Sequence, residues 1–274
     1  MSLSINTNIN AQLLAGVLKR VESSIDQTSQ RLATGKRINS AKDDPAGLAI
    51  ATQMKTQNSS WAVAQKNITF GTSMLETSAA ALGSVQEVLQ NMRDLAVEAS
   101  NGTLSTEQRA ALQTTFVEYQ AQLDQIVGGA SIFGKNLISS TAADVVLQTG
   151  INAGDTTTVV GAASDGATLG VNAAAIDVST DAGASAAITA IDAAVTTVSS
   201  NQATFGAQLR GLDVMVSNID NMRTNLSAAI GRIEDANIAE EVSKLTMLQT
   251  QQQMAIQMLG IVNQFPQNAL SLLR

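Results

Sequence analysis

Between Pro45 and about Ser100 the chain runs without a further proline, and Leu48, Ile50, Met54, Trp61, Ile68, Met74, Leu75, Leu82, Val85, Leu89, Leu95 and Val97 keep a helical rhythm. At 1.5 Å per residue such a helix would be roughly 80 Å long, a rod rather than the helix of a globular domain. Asp44-Pro45 reads as its N-cap and first helical residue. Asn101-Gly102 breaks the pattern. Ser105-Thr-Glu-Gln108 is then a capping box opening a second helix, with Leu112, Phe116, Tyr119, Leu123 and Ile126 among its apolar positions and Gly128-Gly129 closing it. Long helix, tight turn and returning helix make an antiparallel pair.

The two ends of the chain carry the same helical logic. Leu14, Leu18, Val21, Ile25, Thr28 and Leu32 alternate spacings of four and three, one stripe for a partner helix; Ile5, Ile9, Leu13 and Val17 widen it. A helix apolar over so much of its circumference needs cover on more than one side. Near the other end Ile238, Val242, Leu245, Leu248, Ala255, Leu259 and Val262 repeat the pattern, with Gln252 interrupting the seam, and Leu270, Leu272 and Leu273 follow. Apolar side chains at a terminus imply that something covers them. Met247, Met254 and Met258 fit helix packing better than an adaptable binding groove, although a surface fitting several neighbours would use both properties. Gly35 is a C-cap for the first helix, and Arg37, Asn39, Lys42, Asp43 and Asp44 belong to a charged connector over 35–44.

The middle differs. From Ser139 to about Ser185 the composition turns to Ala, Gly, Thr, Ser and Val, and Val145-Val-Leu-Gln148 and Thr156-Thr-Thr-Val-Val160 read as short strands between turns. Helical pattern resumes near Ala186 and continues to about Glu234. Residues 144–192 hold six acids and no Lys or Arg, an acidic solvated face; residues 1–42 hold six basic side chains against two acidic ones. The segment 235–274 is weakly acidic, so the two ends are expected to attract as well as pack.

Function classes fall away quickly. The chain has no cysteine and no histidine, which removes disulfides, thiolate or imidazole metal ligands and His-based acid/base chemistry. With 23 acidic against 16 basic side chains, a duplex-binding role is disfavoured. No basic, continuously apolar leader and no run of eighteen apolar residues is visible, so neither a cleaved signal nor a membrane span is expected. Gly129-Ala-Ser-Ile-Phe-Gly134-Lys135 matches the start of a P-loop, but Asn136 replaces the Ser/Thr that would hold Mg²⁺ and the segment follows a helix, so it reads as a turn. The acid pairs Asp43-Asp44, Glu234-Asp235 and Glu240-Glu241 lack the alternation of a calcium loop and read as caps and ion pairs. No catalytic, cofactor or metal site is expected.

The segment Arg31-Leu-Ala-Thr-Gly-Lys-Arg-Ile-Asn-Ser-Ala-Lys-Asp-Asp-Pro-Ala-Gly-Leu-Ala-Ile50 resembles the N-terminal signature of bacterial flagellins, and Arg232-Ile-Glu-Asp-Ala236 with the run from Gln264 to Arg274 resembles their C-terminal signature. The resemblance implies a mainly α fold, an elongated helical hairpin and coiled-coil rod with a small β-hairpin region in the middle of the chain. It implies an inner coiled-coil domain (1–34 with 236–274), the connector 35–44, a helical rod domain (45–138 with 186–235) and a short variable surface region (139–185). The implied role is a filament subunit for swimming motility. Its implied partners are further copies of itself, an export chaperone, the type III export apparatus, and the filament cap and hook-junction proteins, with the filament outside the cell. A hook-filament junction protein and a glycan-bearing surface adhesin are the alternatives. Leu89 to Val97 resembles the segment read by the animal Toll-like receptor for flagellin: Gln90, Arg93 and Leu95 lie in it, but Asn91 stands where receptor-activating members usually carry Arg.

Overall fold

The computed structural model describes residues 8–172 and 175–271, with side chains described as far as Gln264. It is 73% helical. Five helices are described, α1 (Ile9–Thr34), α2 (Pro45–Ala99), α3 (Thr106–Gly129), α4 (Asp181–Glu234) and α5 (Ile238–Ser271), with four short strands β1 (Ser131–Ile132), β2 (Lys135–Asn136), β3 (Val145–Gln148) and β4 (Thr156–Val159) between α3 and α4. The chain divides into two compact units, one of Met1–Asn58 with Thr224–Arg274 and one of Ser59–Arg223.

The helix ends lie where capping chemistry places them. Gly35 adopts a left-handed conformation (φ 69°) after α1. The Asp44 carboxylate accepts the Gly47 N–H at 2.9 Å at the start of α2, with Pro45 first in the helix. Both halves of the capping box between Ser105 and Gln108 are made. The start of α4 is the exception, because the helix begins at Asp181, ahead of the expected Ala186. Thr180 caps it through its hydroxyl on Gly183 N. Gly183 looks like a loop residue in the sequence, but it is there because a Cβ would lie 2.0 Å from the backbone oxygen of Asp177.

In the Ser59–Arg223 unit, α2 buries Ala64, Ile68, Gly71, Leu75, Ser78, Leu82, Val85, Leu89, Met92, Ala96 and Ala99, spaced alternately by fours and threes. Helix α4 answers with Ala184, Ala187, Ile191, Ala194, Val198, Phe205, Leu212 and Ile219, and α3 with Phe116, Gln120, Leu123 and Val127. This heptad spacing is that of helices wound along one another. Off the heptad, Met74 and Val88 are also buried, while Val63 and Val97 stay exposed although they are apolar. By length and mean hydropathy α4 is the one described helix long and apolar enough to cross a membrane. Its apolar heptad is nevertheless occupied by this core.

The expected strands form one antiparallel hairpin, Val145 opposite Val159 and Gln148 opposite Thr156. Leu147 seats its side chain in the notch left by Gly71. The P-loop-like segment is a second, minimal hairpin, β1–β2, whose central residues Phe133 and Gly134 both have positive φ (53° and 72°), as a two-residue type I′ turn requires. The described residues of the following segment, 160–172 and 175–180, form an irregular strap. Side chains of α3 hold its backbone: Asp124 accepts Gly166 N, Gln120 donates to Val171 O and Gln113 accepts Val178 N. Leu169, Val171, Ile176 and Val178 are thereby buried. Asp144, Asp155, Asp165 and Asp177 each accept from a backbone N–H group, and Asp144, Asp155 and Asp177 remain exposed.

Candidate functional site

In the other unit α1 and α5 run antiparallel. Asn8 at the start of α1 donates to Val262 O at 3.2 Å, and Arg31 near its end pairs with Glu241 at 3.1 Å near the start of α5. On α1 the half-buried Leu14, Leu18, Val21, Ile25 and Leu32, with fully buried Thr28, form the stripe that the spacing forecast. On α5 the covered positions are Glu241, Leu245, Leu248, Gln252, Ala255, Leu259 and Val262, alternating fours and threes. Val242 is therefore not in the seam. It is half exposed, because Glu241 takes its place to reach Arg31. Arg31 Nε and Glu241 Oε2 are buried without a hydrogen-bond partner among the described residues. A seam carrying Thr28, Arg31, Glu241 and Gln252 gives up some stability and fixes register in return, since a slipped pairing would strand these groups in an apolar contact.

Beside this seam lies a second apolar stripe with no cover. Leu13 and Val17 on α1, and Met247, Met254, Met258 and Ile261 on α5, each precede a seam residue by one position and are thus rotated by about 100° around the helix. Leu13 is 65% exposed and Met254 54%. Ile9, Ile238 and Ile256 are also exposed. Met247, Met254 and Met258 are each a little over half exposed. Of the remaining assembly residues, Leu270 lies on α5 with its side chain outside the described residues, and Ile5, Leu272 and Leu273 lie outside them altogether.

The connector fastens the pair. The Arg37 N–H donates to Glu234 O at 2.6 Å, Ala236 N to Gly35 O at 2.9 Å, and the Arg37 guanidinium to Ile233 O at 2.7 Å. Beneath this clasp the buried Glu234 carboxylate bonds Lys55 through one oxygen and Lys36, at 3.5 Å, through the other. The Lys55 hydrogen bond holds that carboxyl below its usual range against the opposing effect of burial. Asp43 accepts from Gln27, Asn39 N and both Ser40 donors, and these bonds, Gln27 first, lower its pKa too. Asn39 itself donates to Lys36 O, and Lys42 is exposed. The connector residues thus cap and latch, as the acid pairs suggested. The Lys55–Glu234 pair was not foreseen, because nothing local marks Lys55.

In the Ser59–Arg223 unit Gln90 and Asn91 are exposed and Leu95 is half-buried. Arg93 Nε donates to Asp192 at 2.7 Å, which raises the pKa of the guanidinium.

Two long helices thus share a covered, polar-studded seam beside an exposed apolar stripe. Comparison with known proteins gives the family. The model of the bacterial flagellin N-terminal helical region matches residues 5–143, and that of the C-terminal helical region residues 188–273. The chain belongs to the bacterial flagellin family. It is 33% identical to flagellin of Listeria innocua over 97% of each chain, and 35% identical to flagellin of Halalkalibacterium halodurans over 89% of this chain and 90% of that one. The crystal structure of Bacillus cereus flagellin, 31% identical, superposes with a TM-score of 0.51, covering 60% of this chain and 94% of that chain. This flagellin is a structural subunit of the bacterial flagellar filament and not an enzyme. It self-assembles and is a component of the flagellum.

Proposed function

We propose that filament assembly proceeds through the bare stripe of α1 and α5, and that the covered seam beside it is what holds each subunit's own pair together. The observation that carries this is the row Met247, Met254, Met258 and Ile261, interrupted by Gln251 and preceded on the same face by Glu240 and Lys244, whose apolar members are each more than half exposed in the subunit. Apolar area left in water at regular helical intervals is stabilised by burial against further helices. Ile9 is exposed at the start of α1, and on their sequence positions alone Ile5, Leu270, Leu272 and Leu273 are assigned to the same assembly set. In this reading 1–34 with 236–274 forms the inner layer, 35–44 the latch, 45–138 with 186–235 the surrounding helical layer and 139–185 the outer surface.

Before assembly the same apolar stripe needs cover, which suits an export chaperone on α5, delivery through the flagellar type III apparatus and addition beneath a cap, next to hook-junction proteins, in a filament outside the cell. Other flagellins could share such a filament. For the receptor-like segment we propose weak recognition, supported by Asn91 in place of a bidentate Arg and by the commitment of Arg93 to Asp192. The test is polymerisation. Met254→Glu with Met258→Glu, or deletion of 1–30 or 245–274, should leave soluble chain that no longer pellets as filaments in sedimentation; unimpaired filaments from both the double variant and the truncations would sink the assignment.

A further inference from the structure

We infer that the turn between α2 and α3 is a self-modification site, at which Asn101 cyclises onto Gly102 and is converted to aspartate and isoaspartate faster in the folded chain than in the unfolded one. Both residues are exposed, and no atom lies within 4 Å of where a Gly102 side chain would be, so water and base reach the bond freely. The fold also activates both reacting groups. The electrophile is the Asn101 side-chain carbonyl, and its oxygen accepts two hydrogen bonds, from Thr103 N at 3.1 Å and Thr103 Oγ1 at 2.9 Å. Those donors are placed to hold the negative charge that this oxygen acquires when its carbon is attacked.

The nucleophile is the Gly102 amide nitrogen, whose N–H has no hydrogen-bond acceptor among the described residues. It shares its peptide group with Asn101 O. That oxygen accepts from the Arg109 guanidinium at 3.0 Å and from Leu104 N at 3.2 Å. A cation drawing electron density through the peptide carbonyl makes the adjoining N–H easier to deprotonate. Arg109 is itself anchored, its Nε donating to Ala99 O at 2.9 Å.

The reaction balances without a cofactor. Solvent base removes the Gly102 N–H proton, and the nitrogen attacks Asn101 Cγ. The Cγ–N bond to the side-chain amide breaks, and that nitrogen leaves as ammonia after taking a proton from water. The resulting succinimide is opened by water at either carbonyl, leaving an aspartyl or an isoaspartyl residue in place of the asparagine. Each subunit gains one negative charge, and the isoaspartyl form lengthens by one atom the backbone that Arg109 clamps.

The full-length chain is incubated at mildly alkaline pH, folded and in urea, and the Asn101 site is followed by peptide mass mapping and isoaspartate methylation. The expected results are a faster rate in the folded chain, a rate lowered about two- to tenfold by Thr103→Ala, the range set by the net worth of one hydrogen bond, recovery with Thr103→Ser, and slowing with Arg109→Gln. Circular dichroism of each variant establishes that it is folded. A folded rate at or below that in urea overturns the inference, as does a folded Thr103→Ala chain reacting at the parent rate.

Discussion

The two units use the same heptad grammar to opposite ends. In the Ser59–Arg223 unit every heptad position of α2 from Ala64 to Ala99 is covered, and Leu82, Leu89, Met92, Phe116, Phe205 and Leu212 are almost wholly removed from water. In the unit built on α1 and α5, each helix has one covered stripe and one bare one, and the covered stripe is studded with Thr28, Arg31, Glu241 and Gln252. The first unit is finished within one chain. The second leaves apolar stripe residues more than half exposed, the surface proposed above to receive copies of the chain. The difference lies in where the apolar residues stop: one stripe suffices for a closed bundle, and a second stripe, one residue out of step, makes an open one.

The comparison breaks first at Phe205. Truncating this fully buried ring, Phe205→Ala, should cost about 3–5 kcal/mol, read as a lowered urea midpoint of the soluble subunit. A loss below about 1 kcal/mol would mean that the closed unit is no better packed than the open one. Smaller is the effect at the clasp. Glu234→Gln should destabilise the α1–α5 unit by about 1–2 kcal/mol, because both lysines keep nearly half of their surface in water and can be rehydrated.

The same carboxylate sets a pH dependence. Its folded pKa is depressed below 4.5, so its stabilisation is complete above the unfolded value and is lost as pH falls through the folded one. Thermal melts from pH 6 downward should therefore converge for parent and Glu234→Gln on the acidic side, and parallel curves throughout would remove Glu234 from that role. Smallest of all is Met254→Gln. It should shift subunit stability by less than about 0.5 kcal/mol, since the side chain is already half in water, whereas the equivalent change at the covered Leu248 should not be tolerated. A large melting shift at Met254 would show that the stripe is covered within the subunit.

Much of this was legible in the sequence because its signals are local. Gly35, Asp44-Pro45 and Ser105 to Gln108 mark helix ends by chemistry acting within four residues, and each end falls there. Periodicity placed the α1 stripe, but it put Val242 in the α5 seam, since hydrophobicity alone cannot know that Arg31, 210 residues away, calls for Glu241. The described strap residues had no period to read, because Gly166, Val171 and Val178 are held by Asp124, Gln120 and Gln113 on another element. A turn within 129–135 was legible in the sequence, but Phe133 hid its type: a positive φ is the province of glycine and asparagine, and an aromatic residue there gives no warning of a two-residue hairpin.

The clasp between Gly35–Arg37 and Ile233–Ala236 has a consequence for the order in which the molecule comes together. Arg37 and Ile233 are 196 residues apart, so joining them in a disordered chain means closing a very large loop before any local contact repays the lost entropy. Helices α2, α3 and α4 pair over shorter separations and suffer less of that penalty. The closed unit is thus expected to form early and the terminal pair late, which leaves the most adhesive segments unstructured until the rest of the chain has taken shape.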